Sequence, residues 1–210
     1  MRRLLIVLSI VLAVVVLGLL IVMSIPKGPD LSKYESLKQP QIRTMPNQKL
    51  IVIEAKGDPN VAGREAFSLL YKTYYRTKGV PKGHVVPVPR ARWPMPWDSP
   101  KTEWVGYYAV PVPDSLTEIR PAKSKTGLTA KLETWEYGEV AEILHIGPYD
   151  KEQPTVQKLL DFISASGYRV TGPHEEEYLK GPTMFLRGDP VKYATIIRYR
   201  VEKVEPVPES

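Results

Sequence analysis

Residues 135–201 constrain the fold more than any other segment of the chain. An apolar, β-branched run at 140–146 ends in the turn sequence Gly-Pro-Tyr-Asp at 147–150, and one amphipathic helix follows. Three consecutive glutamates, at 175–177, then lie inside a second strand-like run. Because side chains alternate between the two faces of a strand, these carboxylates do not all point the same way. The segment therefore predicts a sheet in which a glutamate faces either water or a cavity that uses it.

The order strand, helix, strand, strand occurs twice along the chain. Asp58 and Pro59 are typical of a helix start, and apolar residues at helical spacing follow them until Gly79. The predicted elements are strands at 50–55, 85–93 and 104–111 with a helix at 62–73, then strands at 140–146, 175–179 and 193–201 with a helix at 156–163, and one more strand at 132–137 beside the second half. Each helix has one apolar stripe that must be buried against a sheet, which predicts an α+β fold.

Four short motifs in the second half occur together in one known family. They are Trp-x-Tyr-Gly at 135–138, His-Ile-Gly-Pro-Tyr at 145–149, Gly-Pro-His-x-Glu-x-Tyr-Leu at 172–179 and Ile-Ile-Arg-Tyr at 196–199. As a set they resemble the GyrI-like small-molecule-binding domain, an effector-binding domain found alone or attached to multidrug-responsive transcription regulators. The resemblance implies two strand-helix-strand-strand units around a pseudo-twofold axis, forming an antiparallel sheet with two helices and a central cleft.

The N-terminal segment indicates a membrane anchor. Residues 4–25 are apolar apart from two serines, and a membrane-spanning helix needs about 20 such residues. The sequence Val-Met-Ser-Ile-Pro at 22–26 is a poor cleavage site, so we predict an uncleaved transmembrane signal anchor at 1–26. Two arginines precede it, which predicts a single-pass protein of the cell membrane with a cytoplasmic N-terminus and an extracytoplasmic domain.

The rest of the chain divides into a linker, one domain and a tail. Residues 27–47 mix Pro, Lys, Gln and Ser with isolated apolar residues, which predicts a linker too short for a helix-turn-helix module. We predict the ligand-binding domain at 48–204 and a loose tail at 205–210. The prolines of 81–100 remove backbone donors, so this stretch is predicted to be an edge strand or an irregular loop. Its tryptophans either form a lid over the cleft or cover a thin edge of the core.

Composition excludes several classes of function. The chain contains no cysteine, which rules out disulfides, thiol catalysis and cysteine-ligated metals. The net charge is +6, but basic residues are scattered among acidic ones, so we expect no nucleic-acid partner. The three histidines, His84, His145 and His174, lack metal-ligand spacing, and no phosphate-binding loop or nucleophile elbow is present. We therefore expect no metal and no cofactor.

Glu176 is the strongest candidate for a functional side chain. It lies two positions before Tyr178, where the GyrI-like family has a glutamate at the centre of its groove. Strand alternation puts His174, Glu176 and Tyr178 on one face and the neighbouring glutamates on the other. A carboxylate at the base of an aromatic pocket would recognise a hydrophobic ligand that is cationic or carries an amine. The alternative is a solvated charge run, and a one-residue register error would promote Glu175 or Glu177 instead.

Most other ligand-binding candidates are aromatic. They are Trp135, Tyr137, Tyr149, Tyr178, Tyr108 and Trp93, together with His145. Aromatic side chains bury a large area, so each is as compatible with core packing as with ligand contact. Tyr149 is favoured because it lies in the turn before the second helix. His145 ends a strand in an apolar context, where a structural hydrogen bond is the commoner role.

Three functions remain open at this stage. The first is a membrane-tethered domain that binds a small hydrophobic ligand. The second, which the resemblance implies for some stand-alone members, is a hydrolase that opens strained electrophilic rings of the cyclopropane type. In that case Glu176 would be the general base, and Tyr178 or Tyr149 would orient the water or the ligand. The third is an interaction scaffold of the cell envelope, which the Pro- and Trp-rich stretch at 87–100 would serve.

Overall fold

The computed structural model of the protein describes residues 29–83, 87–96, 99–182 and 188–205, together with positions 12, 15 and 16. Apart from positions 12, 15 and 16, the predicted anchor at 1–26 lies outside the described residues, as does nearly all of the predicted tail at 205–210. Within the described part, no helix is long and apolar enough to cross a membrane. The chain divides into two compact parts, one of residues 1–28 with 82–86 and the other of residues 29–81 with 87–210. Every element described below belongs to the larger part, 29–81 with 87–210.

The described residues form one antiparallel sheet with two α-helices. The strands are β1 (Gln41–Met45), β2 (Gln48–Lys56), β3 (Arg90–Trp93), β4 (Val105–Pro111), β5 (Ala130–Trp135), β6 (Gly138–Ile146), β7 (Tyr168–Val170), β8 (His174–Lys180) and β9 (Ala194–Lys203), and the helices are α1 (Pro59–Arg76) and α2 (Gln153–Ala165). Short 3-10 helices lie at Leu31–Lys38, Lys101–Glu103, Tyr149–Lys151 and Pro190–Lys192. The strand order is β1-β6-β9-β8-β3-β4-β2-β5, and β7 pairs with β9. The predicted α+β class is confirmed.

The sheet contains the predicted duplication. One unit runs β2-α1-β3-β4 and the other β6-α2-β8-β9, with the short β7 added before β8. Within each unit the strands lie side by side in the same order, β2-β4-β3 in the first unit and β6-β9-β8 in the second. The second strands of the two units therefore meet at the centre, where Ala91 of β3 lies opposite Glu176 of β8.

The outermost strands are exchanged between the two units, which corrects two predictions. β1 precedes the first unit but pairs with β6 of the second, and β5 precedes the second unit but pairs with β2 of the first. Residues 27–47 are thus not simply a linker, since they contain a 3-10 helix and a sheet strand. The strand predicted at 132–137 lies beside the first unit, not the second. Backbone pairing with a distant strand orders these segments, and their own side-chain pattern does not reveal it.

The Pro-rich stretch contains a central strand, so the prediction of an edge strand or loop for 81–100 is wrong for β3. The four residues of β3 contain no proline and pair with both β4 and β8. Pro89 and Pro94 lie directly outside the strand, where a missing N–H removes no hydrogen bond within it. The Pro89 carbonyl even extends the pairing by accepting a hydrogen bond from the Tyr178 N–H at 3.0 Å.

Both helices cover the same face of the sheet. Asp58 caps α1 as predicted, accepting a hydrogen bond from the Asn60 N–H at 2.9 Å, and Pro59 is the first helical residue. The apolar stripe of α1 packs on the first unit through Ala66, Leu69 and Leu70. That of α2 packs on the second unit through Val156, Leu159 and Ile163. The central strands β3 and β8 therefore lie beneath the junction of the two helix-covered halves.

Candidate functional site

Glu176 lies in the middle of a cross-strand row on the helix-covered face. Directly opposite residues share a face of a sheet, and the registers give this row from β2 to β6: Ile53, Tyr108, Ala91, Glu176, Ile197, Ile143. Apart from Glu176 and the Tyr108 hydroxyl, the row is apolar, and all its members are buried. The predicted alternation, with His174, Glu176 and Tyr178 on one face, agrees with these registers.

The Glu176 carboxylate is buried without a full cationic partner. Its residue is 6% exposed, and no Lys or Arg forms an ion pair with it among the described residues. His174 Nε2 lies 3.2 Å from Glu176 Oε1, and the Tyr178 hydroxyl also hydrogen-bonds to the Glu176 side chain. The other ring nitrogen of His174, Nδ1, lies 2.8 Å from the Tyr199 hydroxyl. A histidine therefore connects the carboxylate to a tyrosine on the neighbouring strand.

A second carboxyl group, which sequence analysis missed, lies beside the first. Glu152 immediately precedes α2, is 1% exposed, and its Oε2 has no hydrogen-bond partner among the described residues. One ligand atom each of Glu152, His174 and Glu176 lies within 4.8 Å of the other two. Burial, and then the negative charge of Glu176, raise the pKa of Glu152 to about 9. The fold thus buries two glutamates together, and no arginine or lysine in the described part of the chain pairs with them.

The spacing of the second helix contained a signal for Glu152. It lies four residues before Val156, the first member of the buried stripe of α2, and residues four apart lie on the same side of a helix. The surrounding sequence Asp-Lys-Glu-Gln is typical of an exposed helix start, and that local polarity hid the residue.

Aromatic rings from both units surround the two carboxyl groups. Phe67 of α1 contacts the rings of Tyr108 and Tyr178 edge-on, with centroids 5.0 and 5.8 Å apart. On the other side Tyr149 contacts Tyr178 at 5.6 Å and Tyr193 at 5.2 Å. Burial first, and then the Glu176 charge, raise the pKa of Tyr108, Tyr149 and Tyr178. Their hydroxyls therefore stay protonated and are available as hydrogen-bond donors. Phe67 was not among the predicted wall residues.

Two predicted wall residues lie on the opposite face of the sheet, away from Glu176. The Tyr137 hydroxyl donates to Glu175 Oε1 at 2.9 Å and accepts a hydrogen bond from Arg90 at 2.7 Å. The Trp135 ring lies under the Arg92 guanidinium, whose Cζ is 3.9 Å from the ring centroid. The structure therefore brings Tyr108, Tyr149 and Tyr178 together around Glu176, but not Trp135 or Tyr137.

His145 and Trp93 have structural contacts. His145 Nδ1 lies 2.9 Å from Thr155 Oγ1 and Nε2 lies 3.2 Å from the Pro148 carbonyl, which ties the end of β6 to the start of α2. Trp93 is a buried residue of β3, with its ring centroid 5.5 Å from that of Tyr108. It is therefore not part of a lid, and the scaffold hypothesis loses support from this residue. Trp97 lies outside the described residues.

The neighbouring glutamates of the run are neutralised by arginines on the opposite face. Arg198 donates to Glu175 Oε1 at 2.7 Å, to Glu142 Oε2 at 3.0 Å and to Glu177 Oε2 at 3.0 Å. Arg90 is a second partner of Glu177, at 3.1 Å. Glu175, Glu176 and Glu177 are all buried, so the alternative that this run is a solvated charge run is wrong. Burial would raise the pKa of Glu175, but the guanidinium groups of Arg198, Arg92 and Arg90 outweigh it and hold that pKa below its usual range.

Two cavities formed by described residues lie on this charged face. One, of about 290 Å³, is lined by residues that include Arg43, Arg90 and Arg198, and the other, of about 90 Å³, by residues that include Arg92 and Arg198. Glu176 lines neither of them. On the helix-covered face the described aromatic rings lie close around the carboxylates, so a ligand must displace side chains to reach them.

Comparisons with known proteins agree with this fold. Residues 128–200 match the family model described as the GyrI-like small molecule binding domain. Among solved structures the chain is similar to a hydrolase from Listeria innocua, with 24% identity over 82% of this chain and 99% of that chain and a TM-score of 0.64. It is also similar to the C-terminal domain of EcmrR, with 15% identity over 79% of this chain and 98% of that chain and a TM-score of 0.54. No curated protein matches the chain.

The match of residues 128–200 to this family model confirms the resemblance found in the motifs. This segment includes α2, β8 and the part of β9 that pairs with β8, and so all three residues Glu152, His174 and Glu176. The likenesses to solved structures, at identities below 25%, show that the fold is shared across most of the chain.

We expect Arg198→Met to destabilise the protein by about 3–5 kcal/mol, because it leaves three buried carboxylates without their shared cation. The measurement is the free energy of unfolding from urea denaturation at neutral pH. Arg200→Met, an exposed arginine of the same strand, is the matched control and should change stability by less than about 0.5 kcal/mol. Equal stabilities of the two variants would contradict the assigned role of the ion network.

Proposed function

We propose that the protein binds a small, hydrophobic, cationic molecule at Glu176. The observation that carries the proposal is a carboxylate, 6% exposed, that no described Lys or Arg neutralises and that aromatic rings surround. An ionised carboxylate taken out of water without a partner is costly, and a cation that enters beside it removes that cost. Ring faces add attraction for the same charge and bury the apolar part of the ligand.

The adjacent glutamate supports this interpretation by contrast. Glu175 and Glu176 belong to one strand and are 2% and 6% exposed, yet Glu175 has three arginines close by, whereas Glu176 pairs with a histidine and with no described arginine or lysine. The sheet thus supplies arginines to the buried carboxylates of Glu142, Glu175 and Glu177 on the opposite face. A carboxylate left without them is available to a ligand.

Access to Glu176 requires two tyrosine rings to separate. Tyr149 and Tyr178 contact each other edge-on beside the carboxylate, and Tyr178 lies on the strand that carries it. Gly181 allows the Tyr149 hydroxyl to approach the backbone after β8, because a Cβ at that position would overlap the hydroxyl. Tyr149 belongs to a 3-10 turn and not to a strand, so it is the ring of the pair that moves with less disruption of the sheet.

The purified full-length protein should bind the cationic dye rhodamine 6G, and Glu176→Gln should bind it at least about tenfold more weakly, because the substitution keeps the shape and removes the charge. Fluorescence polarisation measures both dissociation constants. Glu118→Gln, an exposed glutamate, is the charge-matched control and should bind as the wild type does. Equal affinities of wild type and Glu176→Gln would contradict the proposal.

Hydrolysis is the second candidate, and the pair of buried carboxyl groups favours it. With Glu176 as the general base, Glu152 lies within 4.8 Å as a proton donor, and Tyr149 or Tyr178 would orient the water. An electrophilic cyclopropane substrate in excess over the protein should then yield more than one equivalent of its water adduct, measured by mass spectrometry. A yield of no adduct, or of one equivalent at most, would rule out turnover.

We also propose that residues 1–26 tether this domain to the cell membrane, with the domain on the extracytoplasmic side. Support comes from the apolar segment 4–25 and the two arginines that precede it. The full chain expressed in bacteria should sediment with membranes after alkaline carbonate washing and be digested by protease added outside the cytoplasmic membrane. A chain that starts at residue 27 should remain in the supernatant. Extraction of the full chain by carbonate would contradict the tether.

A further inference from the structure

We propose that Glu152, His174 and Glu176 form a binding site for one divalent transition-metal ion of the Zn²⁺ class. The three residues come from the start of α2 and from β8, and each is more than nine-tenths buried. Two carboxylates and one imidazole are ligands that such ions accept. The site goes beyond the binding of an organic ligand and does not depend on it.

The separations of the ligand atoms suit a single ion. Bonds of about 2.0–2.2 Å to a tetrahedral zinc place neighbouring ligand atoms about 3.3–3.6 Å apart. His174 Nε2 and Glu176 Oε1 are already 3.2 Å apart, and all three groups have ligand atoms within 4.8 Å of one another. Glu152 therefore needs only a small side-chain movement to complete three of the four positions. The fourth is left for water or for a ligand.

The unpartnered oxygen of Glu152 is an independent observation that points to a cation. Glu152 Oε2 is buried and receives no hydrogen bond from any described residue, although buried carboxylate oxygens are nearly always paired. Its nearest polar neighbours in this cluster are another carboxylate and a histidine. A metal ion is the occupant that satisfies a lone buried oxygen and attracts both carboxylates at the same time.

The charge balance of the site and the hydrogen-bond partner of His174 support the same assignment. Two carboxylates and a neutral imidazole balance a divalent ion, so a metal-filled site has no net charge to bury. To bind the ion, His174 must be neutral with its proton on Nδ1, and Glu152, whose raised pKa leaves it protonated at neutral pH, must release that proton to solvent. The Tyr199 hydroxyl, 2.8 Å from Nδ1, then accepts the Nδ1–H hydrogen bond. Metal-bound histidines typically have such a partner, which fixes the ring and its tautomer.

The wide spacing of the ligands explains why sequence analysis expected no metal. His174 and Glu176 are two residues apart on a strand, while Glu152 precedes them by a helix and a turn.

The metal would share Glu176 with an organic cation, so the two ligands should compete. Zinc binding is measured without any dye, and its outcome is therefore independent of the dye experiment.

The test is a zinc titration of the full-length protein after EDTA treatment and dialysis. We expect one zinc ion per chain, and a loss of affinity of more than about a hundredfold in Glu152→Gln, His174→Gln and Glu176→Gln. Tyr199→Phe should lose about 10–100-fold, the usual effect of removing an outer partner. Co²⁺ should give a visible absorption band in the wild type that is absent from His174→Gln.

Glu118→Gln is the matched control and should bind zinc as the wild type does. Circular dichroism confirms the fold of each variant, and Glu152→Gln is expected to fold because it replaces an unpartnered buried carboxyl by a neutral amide of the same shape. A wild type that retains no zinc, or zinc retained equally by wild type and Glu152→Gln, would overturn the proposal.

Discussion

The buried ion network around Arg198 is the interaction on which the rest of the sheet depends. One guanidinium group contacts carboxylates from β6 and β8, and Arg90 and Arg92 of β3 complete the set. A register shift of one residue in β8 would turn Glu175 and Glu177 away from these cations, so the network penalises that shift. Once those two side chains face the arginines, alternation along the strand directs Glu176 to the helix-covered face.

Buried carboxylates are neutralised by arginines on one face of β8 but not on the other. On one face each carboxylate has guanidinium partners, and the result is a stable structural element. On the other face Glu176 and Glu152 lie together among tyrosines, with a histidine as the nearest base. The chain therefore concentrates its unbalanced charge at the junction of the duplicated halves. The proposals of a cationic ligand and of a metal ion both follow from that imbalance, and they differ in what supplies the missing positive charge.

Local sequence pattern was sufficient for features that depend on neighbours in the chain. It predicted the repeated order of elements, the Asp58 cap and the side of β8 on which Glu176 lies. It failed where pairing is long-range: β1 and β5 are placed by strands of the opposite unit, and proline-flanked β3 is central. Trp135 and Tyr137 were assigned to the site because the motif contains them, but Trp135 at the end of β5 and Tyr137 in the following turn both contact the charged face. Glu152 was missed because its neighbours in sequence are polar.

The exchange of β1 and β5 has a consequence for the independence of the two halves. Each half of the duplicated sheet is bordered by a strand that the other half supplies, so neither possesses a complete set of hydrogen-bonded strands on its own. A half separated from its twin would expose the long edge of β2 or β6, and such edges attract other strands. The duplicated halves are thus interlocked, because each supplies the border strand of the other.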